Sequence, residues 1–166
     1  MAITDRRTGS VADIAFGSTT VTVTAPTVAQ VNALTRIECY IVDTIDTPRT
    51  GSTTDISSLC QRETFNIAAT VTNGDVSATL WREFDGTDTA WTLFDDSANP
   101  PVTSYLVMCR AGFSGVAGIA ATGDVVDVYT VQVVSRSPVG PVKGDGQRFE
   151  TTLAVTAVEF DVTVVA

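Results

Sequence analysis

The stretch FETTLAVTAVEFDVTVVA, from Phe149 to Ala166, alternates apolar and polar residues as a half-buried β-strand does. Its parity changes part way along. The apolar side chains stand first at odd positions, Phe149, Leu153, Val155 and Ala157, and then at even ones, Val158, Phe160, Val162 and Val164. A side-chain period of two permits such a flip only through a bulge, a bend, or a change in the surface that covers the strand.

The rest of the chain agrees with a sheet. Of its 166 residues 44% are hydrophobic and only 17% charged, and the β-branched residues Val and Thr predominate. That length suits one domain, able to bury roughly 70% of the surface an unfolded chain exposes. Nineteen acids against ten bases give a net charge of -9, and Lys143 is the sole lysine. Such a surface repels phosphates, so it does not grip DNA or anionic lipid, although DNA can pass nearby without sticking. Cys39, Cys60 and Cys109 form an odd set without metal-finger spacing and read as small buried hydrophobes in a reducing compartment. The first residues carry no apolar run behind Arg6 and Arg7, so no signal peptide is expected. No stretch approaches the ~20 apolar residues of a membrane span.

Along the chain, residues 1–17 read as a loosely held arm, and Val21, Val23 and Ala25 as a first short strand stopped by Pro26. Val28, Val31 and Leu34 after Thr27 suit about one helical turn. RIECYIVD reads as a strand, and the hydroxyl-rich run from Asp43 to Ser58 as a long loop that contacts a partner. Two β-rich runs flank Asn73-Gly74-Asp75, a hairpin signal. Ala90, Leu93 and Phe94 predict a helix at about Asp88 to Asp95, with Asp95 and Asp96 at the unfavourable end of its dipole. SYLVMCRAG predicts a buried strand and GDVVDVYTVQVV a long one, giving seven to nine strands in all.

Chemistry is sparse. Without histidine, Ser-His-Asp, Cys-His and His-metal sites are excluded. Asp85, Asp88, Asp95 and Asp96 lack the ligand spacing of an EF-hand loop and read as a solvated helix cap. The glycines around Lys143 lack the order of a phosphate-binding loop. Trp81 and Trp91 read as core rather than as a ligand groove. No catalytic residue, metal or cofactor is expected.

The order PTVAQVNAL, DISSLCQRETF, FDGTDTAWTLF, SYLVMCRAG, AATGDVVDVYTVQV, RFETTLAVT and a final VVA resembles the major tail tube proteins of long-tailed bacteriophages, most of all those of actinobacterial phages. The resemblance runs from about Pro26 to Ala166 and leaves the first 25 residues outside it. It implies a mainly β, sandwich or barrel-like fold with one flanking helix. It also implies six-membered rings stacked into a tube that conducts genomic DNA without binding it specifically, in a virion assembled in the host cytoplasm. Tape measure and tail terminator or tip proteins are the implied partners, with no membrane involved.

Under that resemblance three groups of residues acquire expected roles. Asp43, Asp46, Pro48, Arg49, Gly51 and Asp55 would form an inter-ring loop. Val158, Phe160, Val162 and Val164 would cover a neighbour once the strand changes parity, the alternative being a bulge within one subunit. Asp124, Asp127, Glu159 and Asp161 would line the lumen and repel phosphates. The competing classes are a virion decoration or adhesion module, and a carboxylate-only hydrolase. The latter needs two carboxyls in a cleft with aromatics to hold sugar rings, which singly scattered aromatics do not suggest.

Overall fold

The computed structural model describes residues 13–56, 65–83, 88–140 and 146–166, without the side chains of 43–44, 52–56 and 65–70. Residues 1–12, Cys60, Asp85 and Lys143 lie outside that set, as do the side chains of Asp43 and Asp55.

Seven antiparallel strands form one curled sheet in the order β2-β1-β7-β8-β9-β6-β3, and β4 and β5 pair only with each other. The strands are β1 Asp13–Gly17, β2 Thr35–Arg36, β3 Ile41–Asp46, β4 Arg49–Ile56, β5 Phe65–Asn73, β6 Val76–Trp81, β7 Thr103–Cys109, β8 Val125–Pro138 and β9 Arg148–Thr163. The short helices are α1 Val28–Asn32 and α2 Thr89–Leu93. No helix among the described residues is long and apolar enough to cross a membrane.

Each face of the sheet carries its own core. On one face Phe16, Leu106, Val131, Phe149 and Leu153 pack with Ala90 and Phe94 of the α2 segment; Phe16 stacks on Phe94 with ring centroids 4.3 Å apart. On the other, Ala15, Val107, Val126 and Val128 meet Val31, Leu34, Ala120 and Val164. Burial on both faces is why SYLVMC reads as a continuous apolar run rather than an alternating one.

The helices follow local chemistry. Thr27 and Gln30 form a reciprocal capping box on α1: Gln30 N–H donates to Thr27 Oγ1 (3.2 Å) and Thr27 N–H to Gln30 Oε1 (3.0 Å). At α2 the expected cap is replaced. Asp88 is left-handed (φ 39°) and binds Arg82, while Thr89 N–H donates to the Glu83 carboxylate (3.3 Å). Asp95 and Asp96, poorly placed for the helix dipole, are compensated by Arg136 at 3.4 and 3.5 Å.

Bulges resolve the parity of β9. Val131 pairs with Val155 and Thr130 with Ala157, so Thr156 is an extra residue, its hydroxyl donating to Thr130 O (3.1 Å). Val155 before the bulge and Val158 and Phe160 after it therefore pack on the same core. A second bulge at Phe160-Asp161, with Asp161 at φ 54°, turns the strand again. Val162 then pairs with Val126, and Val164 is fully buried in the second core. The even-numbered residues Val158, Phe160, Val162 and Val164 are thus not one face offered to a neighbour. Val158 and Phe160 pack on one core of their own chain and Val164 on the other.

The run from Asp43 to Ser58 is not a loop over its described part. Asp43 and Asp46 lie in β3, Pro48 joins the strands, and Arg49, Gly51 and Asp55 lie in β4. Register continues from Asp46↔Ser77 to Arg49↔Asn73, so β3-β4 and β5-β6 are the two legs of one long ribbon. Its base belongs to the sheet and its outer part leaves it. Asn73-Gly74-Asp75 therefore sits within one leg rather than turning a hairpin. Gly74 N–H donates to Pro48 O (2.8 Å), and a Cβ on Gly74 would stand 2.8 Å from Pro48 Cγ, so only glycine fits there.

The N-terminal reading also changes. Asp13–Gly17 is an interior strand between β2 and β7 with Phe16 fully buried, whereas residues 18–26 are turns and bends in which Val21 is buried. Residues 13–25 therefore belong to the same cores as the rest and form no separate arm.

Candidate assembly surfaces

The stagger of the sheet leaves a long edge open. β6 pairs with β9 only from Arg148 to Leu153, so from Ala154 to Thr163 β9 has β8 on one side and no strand on the other among the described residues. That edge carries no proline or lysine, and its protection is limited to Glu159, Asp161 and the two bulges. The corresponding edge of β8 beyond Gln132 is blunted, because Arg136 N–H donates to Asp96 (3.0 Å) and Pro138 has no N–H. Among the described residues the ribbon β4-β5 has both of its outer edges unpaired.

Charge is distributed unevenly over these surfaces. Cross-strand pairs Ser77↔Thr152 and Thr79↔Glu150, with Asp46 opposite Ser77, put small hydroxyls and two carboxylates on one face of β3, β6 and β9. They line a shallow trough of about 380 Å³ without a basic residue. Arg148, on the same face, stands at its end over Trp81, 5.4 Å from the ring centroid. Glu159 is also exposed.

Two of the four expected lumen carboxylates are buried instead. Asp127 is 3% exposed, bound by Arg110 (2.6 Å) and by Asp161 N–H (3.1 Å). Asp124 accepts from Ser114 N–H (3.1 Å) and Ala121 N–H (2.8 Å), closing the loop between β7 and β8. Asp161 is exposed at the bulge and lines a cleft with Arg49 and Tyr129, where Arg49 stacks over Phe160, 4.9 Å from its centroid. Sequence alternation around GDVVDVY could not reveal this, because a carboxylate beside a turn and one on a strand surface leave the same trace. The acids of the trough, Asp46 and Glu150, were legible only as members of a loop and of a strand.

Burial pushes the Asp124 carboxyl up, but the Ser114 hydroxyl and the two backbone N–H groups outweigh it, holding it below the ordinary carboxylate range. A carboxyl depressed in the fold stabilises it above the unfolded pKa of about 3.9 and ceases to do so as pH falls through the folded value. Stability measured by urea unfolding should therefore be flat through this group from neutrality to about pH 4 and fall below it. Asp124→Asn should cost ~1 to 3 kcal/mol at pH 7 and remove that component of the acid loss.

A small β subunit with two closed cores, an open sheet edge and a projecting polar ribbon defines a structural building block. The model of the phage tail tube protein family matches residues 4–166, nearly the whole chain and including most of the first 25 residues. The chain belongs to that family and is a structural tail tube subunit, not an enzyme. In fold it is similar to a chain of the virion of a native gene transfer agent particle, with TM-score 0.52 and 13% identity, covering 92% of this chain and 96% of that one. It is also similar to a chain of the anti-feeding prophage baseplate, solved as a 6-fold symmetrised structure, with TM-score 0.54 and 8% identity over 89% of each chain. Among curated proteins no sequence matches it.

Proposed function

We propose that copies of this chain close into rings by adding a neighbour's strand to the open β9 edge from Ala154 to Thr163, and that rings stack into the tube. The open length of that edge carries the reading: although Glu159, Asp161 and two bulges interrupt it, ten residues lack a strand neighbour among the described residues, where exposed edges are normally short or covered unless another chain pairs with them. The ribbon β4-β5, with both edges unpaired among the described residues, is the matching donor, which keeps Arg49, Gly51 and Asp55 at a contact between copies as a strand pair rather than a loop.

Six copies per ring agrees with the 6-fold symmetry in the description of the baseplate relative. The trough with Asp46 and Glu150, together with Glu159, faces the lumen in this reading, where a lining with no basic residue among the described residues lets phosphates slide rather than bind. Tape measure protein would fill the tube before DNA, and terminator and tip proteins would cap it, after assembly in the host cytoplasm.

Sedimentation and negative-stain electron microscopy over a concentration series test this. The expected result is hollow rings or tubes with six-fold end views. A stable dimer or trimer would instead favour a decoration module.

A further inference from the structure

One loop is held far more firmly than its exposed tip requires. Between β7 and β8, Asn32 exchanges two hydrogen bonds with Ala120 (2.8 and 3.2 Å), Arg36 donates to Gly118 O (2.6 Å), and Phe113 N–H donates to Asp13 (2.6 Å). Asp124 closes it as described. Gly118 is at φ 75° with Arg36 Nη1 2.8 Å from where its Cβ would be, so another residue there would be strained and would displace Arg36. Ala120 covers the second core, but Val116 covers nothing: it is 89% exposed, with Ile119 half exposed beside it. A fixed loop presenting an apolar tip to solvent is pre-organised for contact.

The complementary feature lies at the other end of β1 and β7, about 20 Å away along the strands. There Ser18 and Leu93 are shared by two adjoining hollows that continue to Thr89 and Thr92 on one side and to Val102 and Val133 on the other. Charge matches as well. The loop end carries Arg110, whose side chain is 69% exposed despite its bond to Asp127, and the groove is edged by the half-exposed Asp95.

Resting on the tube reading above, we propose that the Val116 loop of one copy seats in the Leu93-Val102 groove of the next copy along the tube. Knob and groove occupy opposite ends of the same molecule, so the contact is heterologous, cannot satisfy itself within a pair, and propagates as a stack. Sheet edges run along the sides of the strands and this contact along their ends. Ring closure and ring stacking therefore use separate surfaces.

Two variants test it in the full chain. Val116→Asp should fold as the wild type does by circular dichroism and still form rings, yet raise the concentration at which tubes appear by about tenfold or more. Val116→Cys combined with Thr92→Cys, in a Cys39→Ser, Cys60→Ser background, should give an oxidised ladder of dimers, trimers and longer chains, with neither single cysteine doing so. Wild-type tube formation by Val116→Asp, or no ladder from assembled tubes, would overturn this contact alone. Efficient dimers from Val116→Cys by itself would overturn it in favour of a loop-to-loop pair. A wild-type protein that never forms rings would overturn the tube reading, and the contact with it.

Discussion

Deleting Thr156 is expected to leave every residue beyond it on its present face. With the extra residue gone, Val131↔Val155, Thr130↔Ala157 and Tyr129↔Val158 become consecutive pairs, so Val158 and Phe160 stay on the first core and Val164 on the second. The deletion and Thr156→Val both lose the bond from the Thr156 hydroxyl to Thr130 O, and each should cost about 1 kcal/mol. Removing a side chain that the bulge brings back to the core costs more. Phe160 packs edge-on against Tyr129 with centroids 5.8 Å apart, and Phe160→Ala should cost ~3 kcal/mol or more. Urea unfolding followed by circular dichroism separates them, and a deletion variant that no longer unfolds cooperatively would show that Thr156 is not the extra residue that sets the faces of β9.

Trp91→Ala is the second large effect. The guanidinium carbons of Arg82 and Arg136 stand 4.2 and 4.0 Å from the Trp91 ring centroid, so the ring makes a cation–π contact with each. Its edge meets Phe149, with centroids 5.2 Å apart, and Arg136 also donates to Trp91 O (2.5 Å). This stack ties α2 to the ends of β6 and β8. Removing the ring should cost ~3 kcal/mol or more, of which each cation–π contact supplies about 0.5 to 2. A thermal melt should fall by roughly 6 to 12 °C. Trp91→Phe keeps a smaller ring beside both arginines and should lose about half as much. An alanine variant that melts with the wild type would mean that the aspartates, not the ring, hold the two arginines and the helix.

The elements that were legible in the sequence are those that bury something periodically. β7, β8 and β9 announced themselves by apolar runs or alternation, α1 by Thr27 and the spacing of Val28, Val31 and Leu34, and α2 by Ala90, Leu93 and Phe94. The ribbon from Ile41 to Trp81 was opaque for the converse reason. Its outer strands leave the cores, so RTGSTTDI carries no apolar alternation and looks like a loop, although its Thr residues favour strand. Asn73-Gly74 is a turn signal only if the flanking strands pair with each other, and here β5 pairs with β4 and β6 with β9. The parity flip was visible, but not the second bulge. Uniform even spacing from Val158 to Val164 hides a turn at Asp161, where a non-glycine residue takes the left-handed backbone that glycine would have signalled. The open edge of β9 could not be read at all, since which part of a strand lacks a neighbour depends on the registers of β6 and β7.

Hydrogen exchange by mass spectrometry on the same protein, as isolated subunit and as assembled tube, tests the ring-closing edge most directly. In the subunit the amides between Ala154 and Thr163 that point away from β8 have no strand partner and should exchange quickly, while those of Arg148 to Leu153, paired on both sides, should exchange slowly. On assembly the fast amides of Ala154 to Thr163 should slow by orders of magnitude, together with those of the ribbon strand β4 or β5 that pairs with them. If that segment exchanges as quickly in the tube as in the subunit, β9 is not the edge on which the ring closes.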